Sequence, residues 1–332
     1  MAIIKASAEA IAANSSSETE KLASVKKHKP KNTIIGVGNG LTEKIMHIVF
    51  LICSSVAIIA LLLITIYMIS SGAPIISKVG LKDFIFGDKW APTKEIFGIS
   101  PMILTSVFGT IAAILIGVPI GLMTSVFLAE IAPKSVVKVV QPAVELLAGI
   151  PSVIYGLLGA MIIKPLSYKI EMLVFKDNPE HIYTGGANMF SAVIVLAIMI
   201  LPTIINISRT AIIAVPEEYR EASYGLGATH IQTIFKVILP AAKSGIATAV
   251  VLGVGRAIGE AMAIILVAGN MANMPEAFNS VKFLTTGVVQ EFAYSSGVHR
   301  EALFGIGLVL FVFIMIINIV LNLILKGKAK AK

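Results

Sequence analysis

The chain has 332 residues, of which 56% are hydrophobic and only 14% charged, with a mean hydropathy of +0.89. That composition excludes a water-soluble domain, which would have nowhere to hide its apolar surface, and makes a lipid bilayer the natural solvent. The net charge of +8 comes without a folded basic surface, so no nucleic-acid partner is expected, and the single Cys53, inside an apolar run, excludes a disulfide framework or a cysteine metal site.

Residues 1–44 form an N-terminal tail, half of it Ala, Ser, Lys or Gly, whose weak apolar periodicity predicts a disordered or surface-bound segment. Six apolar segments follow, near 46–69, 103–129, 141–163, 190–214, 245–268 and 302–325. Each is long enough to cross about 30 Å of hydrocarbon at about 1.5 Å per residue. The first, assigned 45–72, is longer than a signal-peptide core of roughly 7 to 15 residues and reads as a retained anchor. Ser70, Ser71, Gly72 and Ala73 would nevertheless suit a peptidase. Residues 73–102 make a loop in which Trp90, Phe84, Phe86 and Phe97 serve as an interfacial anchor or as a docking edge. The other five spans lie in 103–325, and 326–332 is a basic tail.

Two spans contain residues that lipid would not tolerate. The third holds Glu145 and then Gly149, Pro151 and Gly156; proline removes a backbone donor and glycine admits close approach, so the helix kinks there. The kink is a hinge or broken helix lining a pathway, or a packing feature. Glu145 reads as structural, near a helix end or hydrogen-bonded to a neighbouring subunit. In the fifth span Arg256 and Glu260 are four residues apart, on one face of a helix. A charge at the bilayer centre costs about 2.5 to 3.5 kcal/mol, so neither is expected to face lipid. They form an internal ion pair, or Arg256 offers its guanidinium to a passing anion. Gly253, Gly255 and Gly259 are spaced GxGxxxG without a preceding strand, and helix packing explains them better than a dinucleotide, as it does Gly117 and Gly121. The five His residues lack metal-ligand spacing, so no metal is expected.

Charge sets the orientation. With both termini inside, the cytoplasmic segments hold 17 Lys and Arg and the outside loops nine, in keeping with the positive-inside rule. The loop 216–240 between spans four and five is then cytoplasmic. Its run EEYREASYGLGATHIQTIFKVILP begins after Pro216, places Glu217 and Glu218 at the positive end of a short helix, and turns at Gly225 and Gly227. A charged solvated loop is the plain alternative. The spacing of Glu221, Ala222, Ser223 and Gly227, followed by Val237, Ile238, Leu239 and Pro240, resembles the EAA loop of ABC-transporter permeases, which presents a rigid knob to a separate ATPase.

The likeness narrows further. DKWAPTKEIFGISPMILTS (88–106), ELLAGIPSVIYG (145–156) and GVGRAIGEAMAIILVAGN (253–270) resemble the Pst phosphate-uptake permeases, the last run the C-type subunit rather than its A-type partner. The match extends from about 72 to 322 and departs mainly in the N-terminal tail and in 164–189. It implies an all-α polytopic inner-membrane protein with an ABC type I (MetI-like) permease core. Implied partners are a second, PstA-like permease, two PstB-like ATP-binding subunits that carry the ATP and Mg, and a PstS-like extracytoplasmic phosphate-binding protein. Glu221, Ala222, Ser223 and Gly227 are expected to couple to the ATPase, and Arg256 and Glu260 to line the pathway. The carried ion is phosphate or a related oxyanion. The chain has no GxxxxGK[ST] run and no catalytic residues of its own. A secondary transporter would not need the coupling loop and usually shows internal repeats. An intramembrane enzyme would need a nucleophile and base at helical spacing.

Overall fold

The computed structural model describes residues 40–327; the expectations for residues 1–39 and 328–332 lie outside the described residues. Six helices among these are long and apolar enough to cross a bilayer: Thr42–Val79, Ser100–Ile131, Ser152–Val174, Met189–Ile213, His230–Gly259 and Gly297–Val320. The chain divides into two compact units after Leu63. The described part of the first is the beginning of helix α1 (Gly40–Val79), with Phe50, Ile58 and Leu62 exposed around it, as suits a helix solvated by lipid.

In the second unit α1 runs on to Val79, so residues 73–79, expected to open a loop, are helical. Packing holds them there. Ile75 is fully buried in a cluster with Phe84, Phe97, Met102 and Leu303, and Gly72 lies so close to the last helix, Gly297–Gly327, that a Cβ would come within 2.8 Å of the Phe304 carbonyl oxygen. Helix α2 (Leu81–Phe86) and a ribbon of β1 (Trp90–Ala91) with β2 (Ile96–Phe97) contribute to this cluster before α3 (Ser100–Val126) begins. A π turn, Phe127–Ile131, ends α3.

The third apolar segment is not one kinked helix. It forms α4 (Lys134–Gly149), then an extended break at Ile150 and Pro151, then α5 (Ser152–Leu158), which passes through a π turn into α6 (Lys164–Val174). Proline supplies no N–H to continue α4 and disfavours helical geometry in the residue before it, which explains the extended Ile150. Gln141 reaches Asn206, Val144 packs with Ile205, Gly159 lies against Val195 and Ser167 donates to Asn188. The whole segment therefore runs antiparallel to α7 (Met189–Ile213), with its break opposite the middle of that helix.

Helix α7 is the core of the unit. Gly117 and Gly121 of α3 admit Ile200 and Ile204, whose atoms lie 2.7 and 2.8 Å from where a Cβ would be. After α7 come the short α8 (Glu217–Gly225) and α9 (His230–Thr233), and a π turn that leads into α10 (Leu239–Gly259). Gly253 and Gly245 of α10 meet Ile204 and Ala211 of α7. Gly255 and Gly259 face open space, so nothing among the described residues packs on their small-residue face.

The fifth span, expected over 245–268, starts earlier and stops at Gly259. The apolar run continues to Ala268, yet Ala263, Ile264, Val267 and Ala268 are fully buried in protein, where non-helical backbone is tolerated. Glu260 begins a new turn by accepting the Ala263 N–H at 2.9 Å. The chain then passes through α11 (Leu284–Glu291) into α12 (Gly297–Gly327). At the same end of the unit as the start of α7, buried Glu171 accepts from Thr184 N and Oγ1, both at 2.9 Å, and sits 3.0 Å from His181 Nε2. These contacts fasten the 175–188 connection.

Candidate coupling and translocation site

Helix α8 stands out because it is short, polar and exposed between two membrane-spanning helices. Pro216 precedes it in extended conformation, and Glu217 and Glu218 occupy its first turn, where a helix dipole favours negative charge. It ends in a tight turn: Gly227 N–H donates to the Tyr224 carbonyl at 2.9 Å and Ala228 N–H to the Ser223 carbonyl at 3.1 Å. Gly227 has φ +82°, a left-handed conformation that favours glycine. Thr229 and Gln232 then form a capping box that starts α9 at once.

The four residues expected to couple divide by exposure. Glu221, Ala222 and Gly227 face outward, and Leu226 beside them is 90% exposed. Ser223 is 7% exposed, its hydroxyl 2.8 Å from that of Thr233, so it braces α8 against α9. Tyr219, Ala222, Leu226, Gly227, Gln232 and Val237 help line a groove of about 510 Å³.

Arg220, missed from the sequence, holds the other side of α8. Its guanidinium donates to Glu130 at 2.6 Å, to the Val215 carbonyl at 2.8 Å and to Glu217 at 3.2 Å. The hydrogen bond to Glu130 raises its pKa above the ordinary arginine value, outweighing burial. A carboxylate at the end of an apolar run and an arginine inside the polar loop were the available signals; nothing in their spacing joined them.

In the membrane half, Thr203, Asn206 and Thr210 lie on one face of α7, three and four residues apart. From one flank Arg256 donates to Thr203 Oγ1 at 3.2 Å; from the other Gln141 donates to Asn206 Oδ1 at 3.2 Å and to Glu145 at 2.6 Å. Arg256 and Glu260 do not pair. The helix that would align them ends at Gly259, and Glu260 turns to cap Ala263 while its carbonyl accepts from Thr285 at 2.7 Å. Of the three hinge candidates, Gly149 ends α4 just before the break and Pro151 lies within it, whereas Gly156 is a packing position: a Cβ there would be 2.7 Å from Ala263 backbone. Among the described residues no group of three His, Cys, Asp or Glu is placed to hold a metal.

Six bilayer-length helices, a polar stripe along the middle of α7 and an exposed helical knob between two spans are the architecture of a polytopic membrane protein. The chain belongs to the family described as the binding-protein-dependent transport system inner membrane component, whose model matches residues 117–328. It is 38% identical to the probable ABC transporter permease protein YqgH of Bacillus subtilis, over 80% of this chain and 86% of that one. It is 36% identical to the phosphate transport system permease protein PstC of Pasteurella multocida, over 70% and 76%. Among solved structures, a bacterial ABC transporter involved in the import of the acidic polysaccharide alginate shares its fold with a TM-score of 0.60 and 18% identity, covering 88% of this chain and 99% of that one. The MetNI methionine transporter matches with a TM-score of 0.55 and 18% identity, over 72% and 99%. The chain is thus a multi-pass inner-membrane permease of a binding-protein-dependent ABC importer, PstC-like in sequence.

Proposed function

We propose that this chain is the C-type permease subunit of an ATP-driven phosphate importer. It pairs with a second permease, receives phosphate from an extracytoplasmic binding protein, and rests on two ATPase subunits that bind the ATP and Mg. Both termini are cytoplasmic, which places α8 on the ATP side; the Lys and Arg asymmetry supports this orientation. Leu226, Ala222 and Gly227 offer the docking surface, and movement of α8 drives alternating access, with the break at Ile150 and Pro151 as a hinge.

The observation that carries the reading is Arg256. Among the described residues its guanidinium meets no carboxylate and donates only to neutral Thr203, beside the middle of α7. A charge placed there without a countercharge is costly, and a guanidinium matches phosphate oxygens. The PstC relatives support phosphate as the anion. Radiolabelled phosphate uptake, normalised to assembled complex, tests it. Arg256→Gln is expected to lower uptake strongly, and Arg256→Gln with Glu260→Gln to recover nothing, since the two side chains have separate partners. Normal uptake by the single variant sinks the pathway role.

A further inference from the structure

We propose that Arg220 is the positioning residue through which movement of α8 enters the membrane-spanning helices, by way of a buried ion pair with Glu130. The inference rests on the reading of α8 as the ATPase-docking helix. Arg220 and Glu130 side chains are 11% and 7% exposed, and Nη2 lies 2.6 Å from Oε1. Glu130 belongs to the π turn that ends α3. The same guanidinium donates to the Val215 carbonyl just past the end of α7 and, at 3.4 Å, to the Ile212 carbonyl in its last turn, which also accepts the Val215 N–H at 3.2 Å. One rigid, planar side chain on α8 therefore grips the ends of both α3 and α7.

The attachment is directional. Ser223 ties α8 to α9 and so to α10, whereas Arg220 ties it to α3 and α7, and α7 carries Thr203, the hydroxyl that holds Arg256. An uninterrupted series of side chains and helices thus joins the docking knob to the candidate anion contact. A lysine would keep the charge but lack the fork that reaches a carboxylate and two carbonyls together. If Arg220 only capped α7, its loss would lower stability and leave signalling intact.

The test uses the complete complex with second permease, ATPase subunits and binding protein, comparing Arg220→Gln, Arg220→Lys and Glu130→Ala with the unaltered chain. Two quantities are read: ATPase subunits retained on purification, and the ratio of hydrolysis with phosphate-loaded binding protein to hydrolysis without it. The expected result is full retention with that ratio reduced by about fivefold or more in Arg220→Gln and Glu130→Ala, and less in Arg220→Lys, the range of ordinary allosteric coupling. If Arg220→Gln does not accumulate, Glu130→Ala carries the test, because it leaves α8 unaltered. An unchanged ratio in Glu130→Ala overturns the proposal. So does a fall explained by loss of bound ATPase subunits. An unaltered complex that never retains those subunits overturns the docking reading and this inference with it.

Discussion

Replacing Gly227 separates two explanations of why the turn after α8 contains glycine. At φ +82° nothing lies within 4 Å of where a Cβ would stand, so a new side chain meets open space and the penalty is in the backbone alone. Forcing an L residue into the left-handed region costs about 1 to 2 kcal/mol. That is a factor of roughly 5 to 30 in the ratio of formed to unformed turn. If docking requires the turn, the apparent Kd for the ATPase subunit weakens by up to that factor, because affinity scales with the competent fraction. Gly227→Ala should therefore weaken binding most, and Gly227→Asp and Gly227→Asn less, since aspartate and asparagine both tolerate this conformation better. Titrating purified ATPase subunit against the solubilised permease pair reads all three. Unaltered affinity in Gly227→Ala refutes the backbone argument. Binding by Gly227→Asp far below that of Gly227→Ala would make charge at the interface the cause.

Gly156→Ala should destabilise the protein by about 1 to 3 kcal/mol, because its Cβ would be driven against Ala263 backbone. Gly149→Ala, at a position with open space, is the control, and thermal unfolding of the purified protein distinguishes them. Pro151→Ala should lower uptake at equal assembly by letting α4 and α5 stiffen across the break; unchanged uptake refutes the hinge. Burial pushes Glu291 upward, but the hydrogen bonds and charge of Lys282, with His299 and Trp90, outweigh it and hold its pKa below the ordinary carboxylate value. Its folded value is the lower one, so its stabilisation is present above the unfolded carboxylate pKa of about 4.3 and is lost as pH falls through the folded value. Unfolding midpoints followed through that acid window should fall in the unaltered protein and flatten in Glu291→Gln.

Much of this architecture is legible because bilayer spans are long apolar runs and α8 is bounded by Pro216 and Gly227. Boundaries are less so. Hydropathy continues through Gly259 to Ala268, and it does not distinguish apolar chain facing lipid from apolar chain buried in protein; only the Glu260 cap reveals where α10 stops. Spacing put Arg256 and Glu260 on one face by assuming an uninterrupted helix. The same four-residue spacing holds for Gln141 and Glu145, which do bond, because α4 runs unbroken through both. Glu130 and Arg220 are 90 residues apart, and no local pattern announces a pair that tertiary packing makes.

Reconstitution into liposomes of this chain with a second permease, ATPase subunits and a phosphate-binding protein is the most direct measurement of the central claim. Phosphate should accumulate only when ATP, Mg and the loaded binding protein are supplied on their proper sides, and omission of the ATPase subunits should abolish it. Accumulation without them, driven by an ion gradient alone, would contradict the account.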